Sequence, residues 1–350
     1  MGPPENTVAV TAVFSPGTKE REPVTSRRAT DAEVATWRDH GWVLLEGLVG
    51  IEEIDALADD LSEIFPATDE LHADPEGVTE RRLGNPRKPD EVFVWPDHGP
   101  GFRPDQQRWA AVFPYPGSGA LNRIVVHPSI VDFAERALGS ADIRLYQSQA
   151  SAKYAGVTNY EQPMHIDRNH SWLPAGDEAP WWNLEGFLYL TDVTEDDNPT
   201  RLVSNDATRH LWDSPYGVVM PNMEQGVYDA ERPAPGVRGS YLAYRSDCWH
   251  RGAPFGSGTG ARVVLAIAFK QARIEWIGYD SQQSRSTGLE WTQFVEGSTP
   301  RQLELFGWPR PGHPVWTERL LAQTQLRYPA LDLGPWRAAL PRDPGEDATS

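Results

Sequence analysis

Met164-His165-Ile166-Asp167-Arg168 sits between a region of alternating apolar residues and a loop rich in proline and tryptophan. On an extended strand, side chains two positions apart share a face. His165 and Asp167 therefore project to one side. Two ligands on one strand face, joined by a histidine from elsewhere, are how a 2-His-1-carboxylate iron site is built. His-x-Asp alone occurs by chance in many chains. The rest of the sequence has to supply a third ligand and a scaffold that brings it close.

The third candidate is His250, in Ser246-Asp247-Cys248-Trp249-His250-Arg251-Gly252-Ala253-Pro254, just after a strand and before a Gly/Pro turn. From about residue 143 to residue 270 the chain reads as short strands separated by turns. Ile143–Lys153, Trp181–Leu190, Arg201–Val203, Gly239–Tyr244 and Ala261–Phe269 are the clearest. Such a series predicts a sandwich or barrel, of which the jelly roll is one form. A jelly roll can bring His165 and Asp167 beside His250. Three protein ligands leave three positions on iron. A 2-oxo acid takes two of them, through a carboxylate oxygen and its ketone oxygen, and dioxygen takes the third. The far carboxylate then needs a fixed cation. Arg262, twelve residues beyond His250, suits this, because guanidinium grips carboxylate bidentately and keeps its charge.

Helices flank this β region. Thr30 and Glu33 form a capping-box pattern, Val34, Trp37 and His40 follow at helical spacing, and Gly41 stops the helix. Trp42–Leu48 reads as a strand, and Ile51–Phe65 as a helix with Ile54, Leu57, Leu61 and Ile64 on one stripe. A further helix is expected over Ser129–Leu138. Residues 1–29 read as a mobile tail. Residues 30–275 form the jelly-roll domain, with a lid-like, irregular insertion at about 66–120. Residues 276–350 form an extension packed on the core, with helices expected at Thr299–Gly307 and Trp316–Tyr328.

Bulk properties narrow the partners. With 32 basic against 50 acidic residues, the net charge is −18. That argues against nucleic acid, whose phosphates call for clustered Lys and Arg, and gives no reason to expect adhesion to an anionic membrane. No segment approaches the roughly 20 apolar residues of a membrane span. The single cysteine, Cys248, excludes an intramolecular disulfide and a cysteine-based zinc site. With no apolar run of signal-peptide length at the N-terminus, a cytoplasmic protein acting on a small molecule is expected.

The sequence resembles the phytanoyl-CoA dioxygenase family of iron(II)- and 2-oxoglutarate-dependent oxygenases. The resemblance covers most of residues 30–275. It is carried by the Trp37–Leu45 run, the His-x-Asp at 165–167, Phe187–Asn198 leading into an acidic turn, and most specifically Trp249-His250-Arg251-Gly252-Ala253-Pro254. It implies a mainly β fold with flanking helices and a double-stranded β-helix (jelly-roll, cupin-like) core. It implies Fe(II), 2-oxoglutarate and O2 as the reactants, His165, Asp167 and His250 as iron ligands, and Arg262 on the far carboxylate of 2-oxoglutarate. Gln149, Lys153 and Thr200 are implied as further cosubstrate contacts. Arg168, His170, Trp182 and Trp95 are candidate substrate contacts, and Trp172 and Trp181 further pocket walls. One stretch departs from the family: Val203–His210 lacks the usual Pro-Gly-Ser-His, and Asn198-Pro199 stands for Asn-Gly.

The expected activity is hydroxylation of an unactivated C–H bond in a small, partly apolar molecule. Desaturation, epimerisation and ring closure use the same oxidising chemistry. Halogenation needs a small residue in place of the carboxylate, and Asp167 fills that place. A jelly-roll binding protein without catalysis is the alternative from another class. The intact His165, Asp167, His250 and Arg262 set counts against it.

Overall fold

Ten residues from Asp31 to His40 form the first helix, as the capping pattern predicts. Thr30 Oγ1 accepts the Glu33 backbone N–H at 3.2 Å, and Glu33 Oε2 accepts the Thr30 N–H at 2.6 Å. Gly41 closes the helix at φ 87°, the left-handed region that glycine enters without a Cβ clash. A Cβ there would also stand 2.2 Å from Asn205 Oδ1.

The computed structural model describes residues 25–83, 92–96, 107–115, 119–157, 161–167, 181–211, 217–256, 258, 260–275, 277–278 and 289–340. Among these, the strands in chain order are β1 (Trp42–Leu45), β2 (Val92–Pro96), β3 (Gln107–Val112), β4 (Ile143–Tyr154), β5 (Met164–His165), β6 (Asn183–Tyr189), β7 (Arg201–Leu202), β8 (Val218–Val219), β9 (Arg232–Pro233), β10 (Tyr241–Arg245), β11 (His250–Arg251) and β12 (Ala261–Gln271). They make two antiparallel sheets. The larger has the order β1-β10-β6-β12-β4-β3-β2, and the smaller β8-β5-β11-β7-β9. This is the double-stranded β-helix with flanking helices.

The period of two sorts each long strand into two faces. Ala150, Ala152 and Tyr154 of β4, Leu184 and Leu188 of β6, Tyr241 and Ala243 of β10, and Val263, Leu265, Ile267 and Phe269 of β12 join the main core. That core also takes Val34 and Trp37 from the first helix and Ile130, Phe133, Ala134 and Leu138 from the helix Pro128–Leu138. Fully burying one such Leu or Phe side chain is worth about 1.5–3 kcal/mol. The alternate residues Tyr189, Leu242, Tyr244 and Val264 face the other way, with Leu202 of the smaller sheet and Cys248 from the turn before β11. Functional side chains can therefore stand inside the roll while the outer face holds it together.

Some boundaries differ from expectation. Ile51–Phe65 is two helices, Ile51–Asp55 and Ala58–Ile64, separated where Leu57 N–H bonds back to Ile54 O in a tightened turn. The apolar stripe is nonetheless buried as expected, at Ile54, Leu57, Leu61 and Ile64. Residues 66–120, expected to be irregular, contain the helices Thr68–Ala73 and Pro75–Leu83 and the β2–β3 hairpin. β3 pairs with β4 from Trp109↔Ala152 to Val112↔Gln149, extending the larger sheet. Trp109, Phe113 and Tyr115 are buried in the main core. The described C-terminal helices are Leu289–Glu296, Pro300–Glu304, Glu318–Arg327 and Gly334–Ala338, the second and third falling where the sequence predicts helices. Leu303, Leu305, Trp316, Leu321, Tyr328 and Trp336 of this region belong to the same core. Among the described residues, no helix is long and apolar enough to cross a membrane.

Candidate metal centre

β5 and β11 are two-residue strands at the middle of the smaller sheet, and their register sets His165 directly opposite His250. The two imidazole rings lie 4.5 Å apart. Asp167, just past β5, reaches both: Oδ1 is 3.9 Å from His165 Nε2 and Oδ2 is 3.5 Å from His250 Nε2. One ligand atom from each of the three lies within 4.8 Å of the others. The predicted trio is thus assembled in space.

The rings are held in one tautomer. His165 Nδ1 is 2.8 Å from Pro163 O, and His250 Nδ1 is 3.0 Å from Cys248 O. A carbonyl can only accept, so each Nδ1 carries the hydrogen and each Nε2 offers a lone pair. This is the outer-shell arrangement that orients ligating histidines. Burial, and then the neighbouring His250, push the His165 imidazole down to about 4, against the opposing pull of Asp167. At neutral pH it is uncharged, as a ligand must be. Two imidazole nitrogens and one carboxylate are the donor set of a facial iron site. Cys248 is buried and directs its thiol to Val203 O at 3.5 Å. Burial pushes that thiol well up, so it behaves as a small core residue.

Arg262 begins β12 on the inward face, 7 % exposed. Its Nη1 donates to both Asn198 O and Asn198 Oδ1, the latter at 2.8 Å, and Nη2 stands 3.5 Å from Thr200 Oγ1. Asn198 holds φ 57°, a left-handed conformation asparagine tolerates better than most residues. Its Nδ2 is buried with no partner among the described residues, a donor that a carboxylate on Arg262 would satisfy. Lys153, also buried, faces Arg262 across the β4–β12 ladder. Gln149 sits four residues back on the same inward face. The turn after His250 passes close to this cluster: a Cβ on Gly252 would come 2.7 Å from Gln162 Oε1 and 3.2 Å from Lys153 Nζ. Arg262, Lys153, Gln149 and Thr200 thus line one interior, with the donors that fit 2-oxoglutarate.

A family model, phytanoyl-CoA dioxygenase, matches residues 37–263. The chain belongs to the phytanoyl-CoA dioxygenase family. It is a non-haem iron, 2-oxoglutarate-dependent oxygenase, with Fe and 2-oxoglutarate as its cofactor and cosubstrate. No curated protein sequence matches it. Among solved structures, it is similar to the non-heme alpha ketoglutarate dependent carbocyclase SnoK from nogalamycin biosynthesis, at 18 % identity over 75 % of this chain and 93 % of that one, with TM-score 0.52. The epimerase SnoN, solved with Fe3+, alpha ketoglutarate and nogalamycin RO, is 18 % identical over 69 % of this chain and 83 % of its own, with TM-score 0.49. EctD from S. alaskensis, in its apoform, is 16 % identical over 71 % and 80 %, with TM-score 0.47. The likeness to the carbocyclase concerns the fold.

Other predicted contacts of this oxygenase are placed differently. Trp182 precedes β6 and packs edge-on against Trp37 at 5.8 Å, with the Arg245 guanidinium 3.9 Å above it. It belongs to the main core rather than to the interior beside the trio. Trp181 is 38 % exposed under Arg273. Arg168, His170 and Trp172, and the side chain of Trp95, lie outside the described residues.

Sequence reading missed three polar groups of the oxygenase. Tyr244 Oη donates to Asp167 Oδ2 at 3.1 Å, and its ring lies 4.6 Å from that of His250. Burial, and then Asp167 and Glu185, push this phenol well above its usual range, so it stays a donor. Glu185, 3 % exposed, accepts from Tyr146 Oη and, at 3.0 Å, from Asn183 Nδ2. Arg251 Nε and Nη2 grip Glu231 at 2.6 and 2.8 Å, and Nη1 bonds Glu161. Strand parity gave the only signal for Tyr244 and Glu185: each falls on the inward face of its strand.

Proposed function

We propose that this oxygenase hydroxylates an unactivated C–H bond of a small, partly apolar molecule, with iron on His165, Asp167 and His250. The observation that carries the reading is the approach of three ligand atoms within 4.8 Å, with both Nδ1 positions already spent on carbonyls. Arg262 binds the far carboxylate of 2-oxoglutarate, and Asn198, Thr200, Lys153 and Gln149 complete that end of the roll. When bound, iron and 2-oxoglutarate turn dioxygen into an oxidant able to cleave such a bond, releasing carbon dioxide and succinate.

The chain's own part is placement. The two imidazoles present their Nε2 lone pairs from adjacent strands, and Asp167 completes one face. Phe187, Tyr146, Tyr244 and Ala268 line the interior on the side away from Arg262, which supports a partly apolar substrate. Asp167 occupies the position a halide would need, which favours oxygen insertion. The domain reading goes with this: residues 30–275 carry the whole site, and the C-terminal region supports it from outside.

The test is a pool of small metabolites incubated with enzyme, Fe(II), 2-oxoglutarate and oxygen, read by mass spectrometry. A product heavier by one oxygen atom, dependent on all the components, is expected. Succinate release coupled only to products without added oxygen would replace hydroxylation by another outcome of the same chemistry.

A further inference from the structure

β10 contributes no member of the trio, yet one of its side chains touches two of the three. Tyr244 is paired with Glu185 on β6 and Trp42 on β1, so its backbone is fixed from both sides by the larger sheet. Its side chain is 2 % exposed. It crosses the interior, packs against Phe187 at 5.8 Å and ends between His250 and Asp167. The ring is tilted 48° to the His250 imidazole at 4.6 Å, within the range of favourable aromatic pairs. The hydroxyl donates to Asp167 Oδ2.

We infer that Tyr244 is a positioning residue for the metal carboxylate: its hydroxyl holds Asp167 to ligation through one oxygen and its ring braces His250. A carboxylate free to turn can offer both oxygens to a metal and occupy a fourth position. A hydrogen bond from a fixed donor to Oδ2 opposes that rotation. Three positions then remain, which is the number that a chelating 2-oxo acid and dioxygen together need. Tyr244 also ties the ligands, which sit on or beside two-residue strands, to the sheet that carries Arg262. The metal end and the carboxylate end of the cosubstrate site are thereby kept in one frame. Outer-shell partners of this kind contribute about ten- to a hundredfold to metal affinity or activity.

This inference rests on the metal reading above, and its test separates the two. Anaerobic titration with Co(II), in place of iron, follows the metal by its visible spectrum without turnover. Tyr244→Phe keeps the ring against His250 and deletes only the hydroxyl. The expected result is a Co(II) affinity about tenfold or more weaker than wild type, with an altered Co(II) spectrum. The melting temperature of the metal-free protein should stay close to wild type, which excludes general unfolding as the cause. Tyr244→Leu removes the ring as well and should bind Co(II) more weakly than Tyr244→Phe. Equal Co(II) affinity in wild type and Tyr244→Phe overturns the role of Tyr244 and leaves the metal centre standing. A wild-type protein that binds no Co(II) overturns both.

Discussion

The two sheets of this oxygenase are built on different principles. The larger sheet has strands of up to 12 residues, and its outer face is the main hydrophobic core. The smaller sheet has strands of two residues each, and its apolar support is the small cluster of Met164, Val203, Leu211, Val219, Val227 and Trp249. Two of the proposed metal donors stand on this smaller sheet, and the third, Asp167, lies two residues past β5. Arg262, the proposed cosubstrate cation, stands on the larger one. Polar ties replace core packing where the metal donors sit: Arg251 with Glu231 and Glu161, Tyr228 Oη with Met164 N–H, and Tyr244 with Asp167. Short strands can offer donors at close range because no long ladder constrains where they end. The cost is that their geometry depends on individual hydrogen bonds and ion pairs.

The contrast is sharpest between two substitutions of similar overall cost. Arg251→Met leaves the largely buried Glu231 with only the Arg201 guanidinium, at 3.3 Å, a loss of about 3 kcal/mol. Leu188→Ala empties a fully buried site in the larger sheet and costs about 3 kcal/mol. Hydrogen exchange should tell them apart. Arg251→Met should raise exchange at β5, β7 and β11 and weaken metal binding, with β4 and β12 unchanged. Leu188→Ala should lower the global melting temperature and raise exchange throughout. If Arg251→Met loosens β4 and β12 equally, the sheets are one cooperative unit and the division fails.

A smaller effect is expected from Arg262→Met. Removing this cation should cost about 2 kcal/mol in 2-oxoglutarate binding, roughly thirtyfold in Kd. Metal affinity without 2-oxoglutarate should be unchanged, because Arg262 stands on the larger sheet, where it bonds Asn198 and Thr200. Calorimetric titration of each ligand separately checks this. A parallel loss of metal binding would mean the two ends of the site are not independently supported.

Much of this arrangement is legible in the sequence, for identifiable reasons. Long amphipathic strands such as Ala261–Phe269 announce themselves by period, and the first helix by Thr30, Glu33 and Gly41. The trio was legible through the order of its motifs and its family resemblance, since neither His-x-Asp nor a lone histidine decides anything alone. The β2–β3 hairpin was obscured because its strands are embedded in Asp-, Pro- and Gly-rich sequence, although Trp109–Tyr115 carries the apolar residues that the core takes up. The neighbourhood of Trp182 in the sequence predicts a pocket wall. Parity instead turns it outward, with Leu184, towards Trp37. Tyr244 and the Arg251–Glu231 pair depend on contacts between residues far apart in the chain, and no local pattern encodes them.

The central claim is that His165, Asp167 and His250 are one iron site serving 2-oxoglutarate. The direct measurement is succinate formation from 2-oxoglutarate by wild type, His165→Ala and Asp167→Ala proteins, each with excess Fe(II) and oxygen, beside a metal-free melting curve for each. Wild type should form succinate. Both variants should fall to the level of enzyme-free controls while still melting cooperatively near the wild-type temperature. Succinate formation at the wild-type rate in either variant would contradict the assignment.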